Sequence, residues 1–240
     1  MADNCRRSAP RDDARGPRLR PHTKEPMSVE LMERCRAVAT STWSDALDQL
    51  GVAGVIHGLS VRSGTGRVVG TAVTVKETVG ARGSYPINAF GVGGFLDAIS
   101  PGAILIVEMG GAPVSTFGGL AAQAAVARGV SGVVIDGGCR DIADVQAAGL
   151  WLASRHITPV SGKGRVKVDG INVRITVCSI TVNPGDYIIA DETGVVCVNA
   201  GLLMDVLPIA EELTARDSRF ANALRDGSTF SAVAARLRHL

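Results

Sequence analysis

Two adjacent charged residues, Arg140 and Asp141, follow an apolar run and two glycines in Gly129-Val-Ser-Gly-Val-Val-Ile-Asp-Gly-Gly-Cys-Arg-Asp141. A guanidinium presents five donors in a fixed fork and suits a carboxylate, whereas an aspartate suits a hard divalent cation. The pair reads as an anion clamp beside a candidate metal ligand. The same residues also suit a plainer purpose, with Asp141 as the N-cap of a following helix and Arg140 as a surface ion-pair partner.

Other constellations are weaker. Gly64-Thr-Gly66-Arg-Val-Val-Gly70 resembles a dinucleotide fingerprint, but its last spacing is one residue too long and it precedes a strand. Gly91-Val-Gly93-Gly94 lacks the lysine and hydroxyl residue of a phosphate loop and reads as a flexible turn. His22, His57, His156 and His239 are scattered, with no pair at the spacing that places two zinc ligands on one helix face. Ser115, Ser131 and Ser161 lack the elbow sequence of a serine hydrolase. Lys76 and Lys163 each suit either a Schiff base or a solvated surface position.

The elements that must position Arg140 and Asp141 follow from periodicity. Val133 to Ile135 predict a buried strand, Gly137 and Gly138 a tight turn, and Ile142 to Gly149 a helix. The pair then sits where a strand hands over to a helix, the end of an α/β layer at which ligands collect. Upstream, Ser28 caps a first helix, and a second runs from Trp43 to Leu50, capped by Ser41 or Thr42 and stopped by Gly51. Arg67 to Thr78 predicts a strand, Asn88 to Ile99 a helix, Ala103 to Glu108 a buried strand and Gly118 to Arg128 an alanine-rich helix. Trp151 to Ser154, Ile171 to Val182, Tyr187 to Ala190 and Val195 to Val198 predict short strands, and the chain from Leu202 predicts two or three polar helices. Strands alternating with helices, followed by a β-rich half, indicate an α/β sandwich with a mixed sheet.

The 240 residues are 46% hydrophobic and 20% charged, enough apolar material for one substantial core. Net charge is +2, with much of the basic excess between Arg6 and Lys24, so neither nucleic-acid nor membrane binding is expected. No apolar run approaches the roughly 20 residues that span a bilayer. Five cysteines without a paired motif predict reduced thiols in a cytoplasmic protein, Cys139 among them as a small filler. Residues 1 to 26 are expected to form a disordered extension, and 27 to 240 a single domain that includes the C-terminal helices.

The run from Gly118-Gly-Leu-Ala-Ala through Arg140-Asp141 to Gly149, together with Pro184-Gly-Asp-Tyr-Ile-Ile-Ala-Asp-Glu-Thr-Gly-Val-Val, resembles the RraA-like family. Ser44-Asp45-Ala46-Leu47 and Gly70-Thr-Ala-Val-Thr-Val75 are also similar to it. That family includes 4-hydroxy-4-methyl-2-oxoglutarate/4-carboxy-4-hydroxy-2-oxoadipate aldolases and regulators of RNase E. The resemblance implies an α/β/β sandwich of the swivelling phosphohistidine-domain type, assembled as a homotrimer or hexamer with sites between subunits. It implies that Arg140 binds the carboxylate and keto oxygen of a small 2-oxo acid, with the backbone amides of Leu120 and Ala121 completing that pocket. It further implies that Asp141 holds Mg²⁺ or Mn²⁺, and that Asp217 of a neighbouring subunit, with Glu212 in reserve, serves in proton transfer. The activity implied is cleavage of 4-hydroxy-2-oxo dicarboxylates to pyruvate, with oxaloacetate decarboxylation alongside. The alternative is a non-catalytic regulator that acts by protein contact. Aldolases of the family carry an aspartate where this chain has Gly119, in Gly118-Gly119-Leu120. Some members are labelled methyltransferases, for which no nucleotide fingerprint is present here.

Overall fold

The computed structural model describes residues 28–237. The expected N-terminal extension, with Cys5 and His22, lies outside them, as do Met27 and His239.

Two helices open the described chain, α1 (Val29–Ala37) and α2 (Thr40–Gln49). Ser28 caps α1 by accepting from Leu31 N at 3.2 Å. Strands β1 (Val55–Ile56), β2 (Ser60–Ser63) and β3 (Val68–Val79) follow. The helix expected over Asn88 to Ile99 is instead a 3-10 turn at Ile87–Phe90 and a short helix α3 (Val92–Asp97). Gly91, at φ +41, breaks the run, and a Cβ there would come 2.9 Å from Val168 Cγ2. Next come β4 (Ile104–Glu108), β5 (Ser115–Phe117), α4 (Gly119–Ala127), β6 (Gly132–Cys139), α5 (Ile142–Ala147) and β7 (Leu152–Ile157). The remainder comprises β8 (Val166–Ile171), β9 (Ile175–Val177), β10 (Ile180–Val182), β11 (Tyr187–Ala190), β12 (Val195–Val198), α6 (Leu203–Arg225) and α7 (Phe230–Leu237).

Ten of these strands form one mixed sheet, whose main path runs β1-β12-β11-β3-β4-β6-β7-β2, with β5 added on β6 and β8 on β3. The twelve-residue β3 is its spine: Val68 to Thr71 pair with β11, Ala72 to Lys76 with β4 and Val75 to Val79 with β8. Edge strands β1 and β2 are separated by only residues 57–59, which reach about 14 Å when extended. Laid flat, seven interstrand steps would part them by roughly 34 Å. The sheet must therefore curl, and its side chains sort accordingly. Ile104, Ile106, Val134, Ala153 and Ile188 point inside the curl, where Ile175, Val177 and Val182 of the separate β9–β10 hairpin plug it. Their alternates Leu105, Val107, Val133, Ile135 and Leu152 point outward against Phe95 of α3, Ala122 and Ala125 of α4 and Val145 of α5. A further outer cluster joins Val69, Ile189, Val196 and Val198 to α1, α2 and α6.

Two expectations need correction. Gly137 and Gly138 are not a turn: both lie inside β6, every residue of which is buried. They are glycines because neighbours press on them. A Cβ on Gly137 would meet Met109 Sδ at 2.4 Å, and one on Gly138 would meet Val114 O at 2.6 Å. Nor is α6 a polar helix. Leu203, Val206, Leu207, Ala210 and Leu213 recur at helical spacing and are buried.

Candidate active site

The carboxyl end of β6 delivers Arg140 and Asp141 to the N-terminal end of α4. β5 pairs alongside β6, with Ser115 opposite Gly138 and Phe117 opposite Cys139, and Arg140 N donates to Phe117 O at 2.9 Å. A cavity of about 270 Å³ opens there. Its walls include Phe90, Thr116, Phe117, Gly118, Leu120, Ala121, Arg140, Asp141, Ser161 and Lys163. Arg140, Asp141, Leu120 and Ala121 thus line one cavity.

Asp141 precedes α5 but does not cap it. Its backbone is left-handed, at φ 54, and its side chain turns away to accept from Gly119 N of α4 at 3.3 Å. Left-handed backbone at a non-glycine residue costs on the order of 1–3 kcal/mol. The ion pair it makes with Arg140, Nε to Oδ2 at 3.3 Å, leaves both side chains about 40% exposed, and such pairs contribute about 0–1 kcal/mol. The ion pair does not offset the backbone cost of the arrangement. The first intrahelical bond of α4 is Ala122 N to Gly118 O at 2.9 Å, so helix geometry leaves the amides of Leu120 and Ala121 without helical acceptors. They carry partial positive charge into the cavity.

Consecutive glycines let two carboxylates close on this helix end. A Cβ on Gly118 would lie 2.6 Å from Asp141 Oδ2, and one on Gly119 would lie 2.6 Å from Asp144 Cβ and 2.9 Å from its Oδ2. Asp144, in the first turn of α5, therefore occupies the volume a residue-119 side chain would fill. Two exposed carboxylates with room for water fit Mg²⁺ or Mn²⁺, which take few protein ligands. Among the described residues no group of three or more His, Cys, Asp or Glu forms a denser metal cluster.

Lys163 is the second cation on the cavity wall. Its loop is pinned to β5 by Ser115 N donating to Val160 O at 2.9 Å, and Gly162 leaves room for Phe90, whose ring a Cβ there would strike. Lys76 is elsewhere, paired to Glu108 at 3.3 Å between neighbouring strands. Asp217 and Glu212 lie exposed on α6, packed on α2, and neither lines the cavity of its own chain. Cys139 is a buried filler whose thiol is pushed up by burial.

Three contributors escape the motif. Asp144 was detectable from its spacing, three residues after Asp141, which keeps the two on neighbouring positions of one helical turn. Thr116 and Glu77 carry no such signal. Thr116 Oγ1, on the cavity wall, and Glu77 Oε1, behind it, lie 2.8 Å apart, and burial pushes the Glu77 carboxyl up to about 8.

The curled mixed sheet and this glycine-rich helix end define an α/β protein in which Arg140 and the first amides of α4 meet at one cavity. Residues 40–197 match the RraA-like (Aldolase/RraA) family, and the chain belongs to it. The "Putative 4-hydroxy-4-methyl-2-oxoglutarate aldolase" of Halalkalibacterium halodurans is 27% identical over 199 residues, covering 82% of this chain and 90% of the relative. Protein DlpA of Legionella pneumophila is 25% identical over 191 residues, and the chain spans only 30% of its length. Among solved structures, an uncharacterized protein of Pseudomonas syringae pv. tomato superposes with TM-score 0.77 at 28% identity, covering 87% of this chain and 98% of that one. RraAS2 of Streptomyces coelicolor, a member of the RNase ES inhibitor RraA family, superposes at 0.68 with 21% identity over 85% and 98% of the two chains, a likeness of fold. Among the described residues no helix is long and apolar enough to cross a membrane.

Proposed function

We propose that the protein is a divalent-metal-dependent lyase that cleaves 4-hydroxy-2-oxo dicarboxylates to pyruvate and decarboxylates oxaloacetate. The observation that carries this reading is the convergence of Arg140, Asp141 and Asp144 on the amino end of α4. The Leu120 and Ala121 amides hold the substrate carboxylate, and the Arg140 fork spans that carboxylate and the keto oxygen. As the carbon-carbon bond breaks, charge moves onto the keto oxygen, and Arg140 is the donor that receives it. Asp141 and Asp144 would hold Mg²⁺ or Mn²⁺, which would supply Lewis acidity to the developing enolate. Lys163 faces the far carboxylate of a dicarboxylate substrate. Leu120, 84% exposed on the cavity lip, is where a neighbouring copy closes the site. In a trimer or hexamer of phosphohistidine-type sandwiches, Asp217 of that copy, with Glu212 in reserve, orients the water that carries the proton.

The regulator reading drew its support from Gly119, where the aldolases have a carboxylate. Asp144 fills that volume, which favours the enzyme. The test is pyruvate release from 4-hydroxy-4-methyl-2-oxoglutarate and from oxaloacetate, with Mg²⁺ or Mn²⁺ and after chelation, for the wild type and Asp141→Ala. Metal-dependent turnover lost in the variant supports the lyase. A folded oligomer inert on both substrates supports the regulator.

A further inference from the structure

Glu77 is a carboxyl group buried beneath the cavity without an ion-pair partner. Its residue is 5% exposed, its Oε1 has one neighbour, Thr116 Oγ1 at 2.8 Å, and its Oε2 is buried with no hydrogen-bond partner. Thr116, itself only 2% exposed, in turn forms part of the cavity wall. An ionised carboxylate with one bare, buried oxygen is a poorly solvated charge, whereas a neutral acid leaves only a carbonyl oxygen bare. The neutral form then places its proton on Oε1, the only oxygen with an acceptor in reach.

We propose that Glu77 sets the polarity of the hydroxyl that Thr116 offers to the substrate, and so is a positioning residue for anion binding. With Glu77 neutral, its O–H donates to Thr116 Oγ1, and the Thr116 hydroxyl is free to donate into the cavity. With Glu77 ionised, Thr116 must donate to Glu77 and turns a lone pair toward the substrate, which repels a carboxylate. Ionisation releases the Glu77 proton to solvent, and the Thr116 hydroxyl proton, until then directed into the cavity, turns onto the Glu77 carboxylate.

The electrostatic surroundings agree. Burial is the main force holding the Glu77 proton, up to about 8, and Asp169 on β8 pushes the same way. Asp169 pairs with Lys167 at 2.7 Å, and Lys76 pairs with Glu108 on the face of β3 opposite Glu77. Arg140, Asp141 and Lys163 are the charged groups on the cavity side. Thr116 therefore presents a donor while Glu77 is protonated and an acceptor once Glu77 ionises.

The inference rests on the oxo-acid reading of the cavity, and the test separates the two. Oxalate, a two-carbon dianion with the shape of pyruvate enolate, is titrated calorimetrically into the full-length protein with MgCl₂ between about pH 6.5 and about pH 9.5. Wild-type affinity is expected to fall by up to about tenfold per pH unit above the Glu77 transition. Glu77→Gln, whose amide donates permanently, should bind without that limb; Thr116→Ser should keep it, and Thr116→Val should bind weakly at every pH. Infrared difference spectra should show a protonated carboxyl band in the wild type that Glu77→Gln lacks. Oxalate binding that is flat with pH in the wild type, or a limb that survives in Glu77→Gln, overturns the inference and leaves the lyase intact. Failure of oxalate to bind at any pH overturns both.

Discussion

The carboxylate of Asp144 stands where a side chain at residue 119 would stand. A Cβ built on Gly119 falls 2.6 Å from Asp144 Cβ, so the two positions compete for one volume at the mouth of α4. A carboxylate can reach this spot from either helix, but not from both at once. A glycine at 119 and an aspartate at 144 are thus two halves of one packing solution.

That exclusivity predicts a compensating pair. On the proposed chemistry, Asp144→Ala weakens Mn²⁺ binding by on the order of 10–100-fold. Gly119→Asp combined with Asp144→Gly restores much of the loss, because removing the Asp144 Cβ as well opens the space that the new side chain enters. Gly119→Asp alone, with Asp144 retained, forces a clash and lowers stability. Manganese titration followed by electron paramagnetic resonance checks all three; equal affinity in wild type and Asp144→Ala refutes a ligand role.

Arg140→Lys tests the anion clamp. A lysine keeps the charge but loses the planar fork, so kcat/KM for oxaloacetate should fall by about 10²–10³ if Arg140 meets the developing oxyanion. The melting temperature should hardly move, since the half-exposed pair with Asp141 contributes about 0–1 kcal/mol. Steady-state kinetics beside a thermal melt separate these effects. A variant with unchanged turnover removes Arg140 from the reaction.

Much of the frame was readable from residue pattern alone. Tyr187–Ala190 and Val195–Val198 occur at their expected bounds, and α4 differs from its expected range by one residue at each end, because short apolar runs between Gly, Pro and Asn leave few alternatives. The junction bearing Arg140 and Asp141 was equally plain. What periodicity could not show was packing between distant segments. Gly137 and Gly138 looked like a turn because nothing local reveals that Met109 and Val114 lie against them. Strand β8 was missed, since Val166–Ile171 alternates weakly and gains its place by pairing with β3. Glu77 stayed hidden for the same reason: its burial comes from the sheet, not from its neighbours in sequence.

Two glycine substitutions should move stability in opposite directions. Gly138→Ala drives a methyl to 2.6 Å from Val114 O and 2.7 Å from Thr158 Cγ2, between strands that cannot part without disturbing β5. Overpacking of this kind destabilises by about 1–3 kcal/mol, and it should weaken ligand binding at the adjoining cavity. Gly93→Ala, within α3 and with nothing within 4 Å of the new Cβ, should instead stabilise by about 0.4–1 kcal/mol. Urea unfolding of both variants measures the contrast, and the same sign for the two would contradict it.

Asp191 supplies α2 with a cap that the helix lacks in its own sequence. Ala39 precedes the helix and has no side-chain bond to give, so Thr40 N donates to Asp191 Oδ2 at 3.1 Å and Thr40 Oγ1 donates to Oδ1 at 2.6 Å. Thr193 N adds a bond to Oδ1 at 2.9 Å, and Arg67 lies 3.5 Å away. Burial raises this carboxyl's pKa, but the bonds from Thr40, Thr193 and Arg67 outweigh it and hold the group below its ordinary value. The ionised form is therefore the one the fold favours. Its contribution is complete above the ordinary carboxylate range and is lost as pH falls through the lowered native value. Asp191→Asn should destabilise by about 1–3 kcal/mol at neutral pH, because charged acceptors are replaced and a buried donor loses its partner. The difference from wild type should shrink on acidification, as Asp191 itself becomes neutral. Urea midpoints measured across the acid range check the sign, and a gap that widens toward low pH would show that Asp191 is not the group that holds α2 in place.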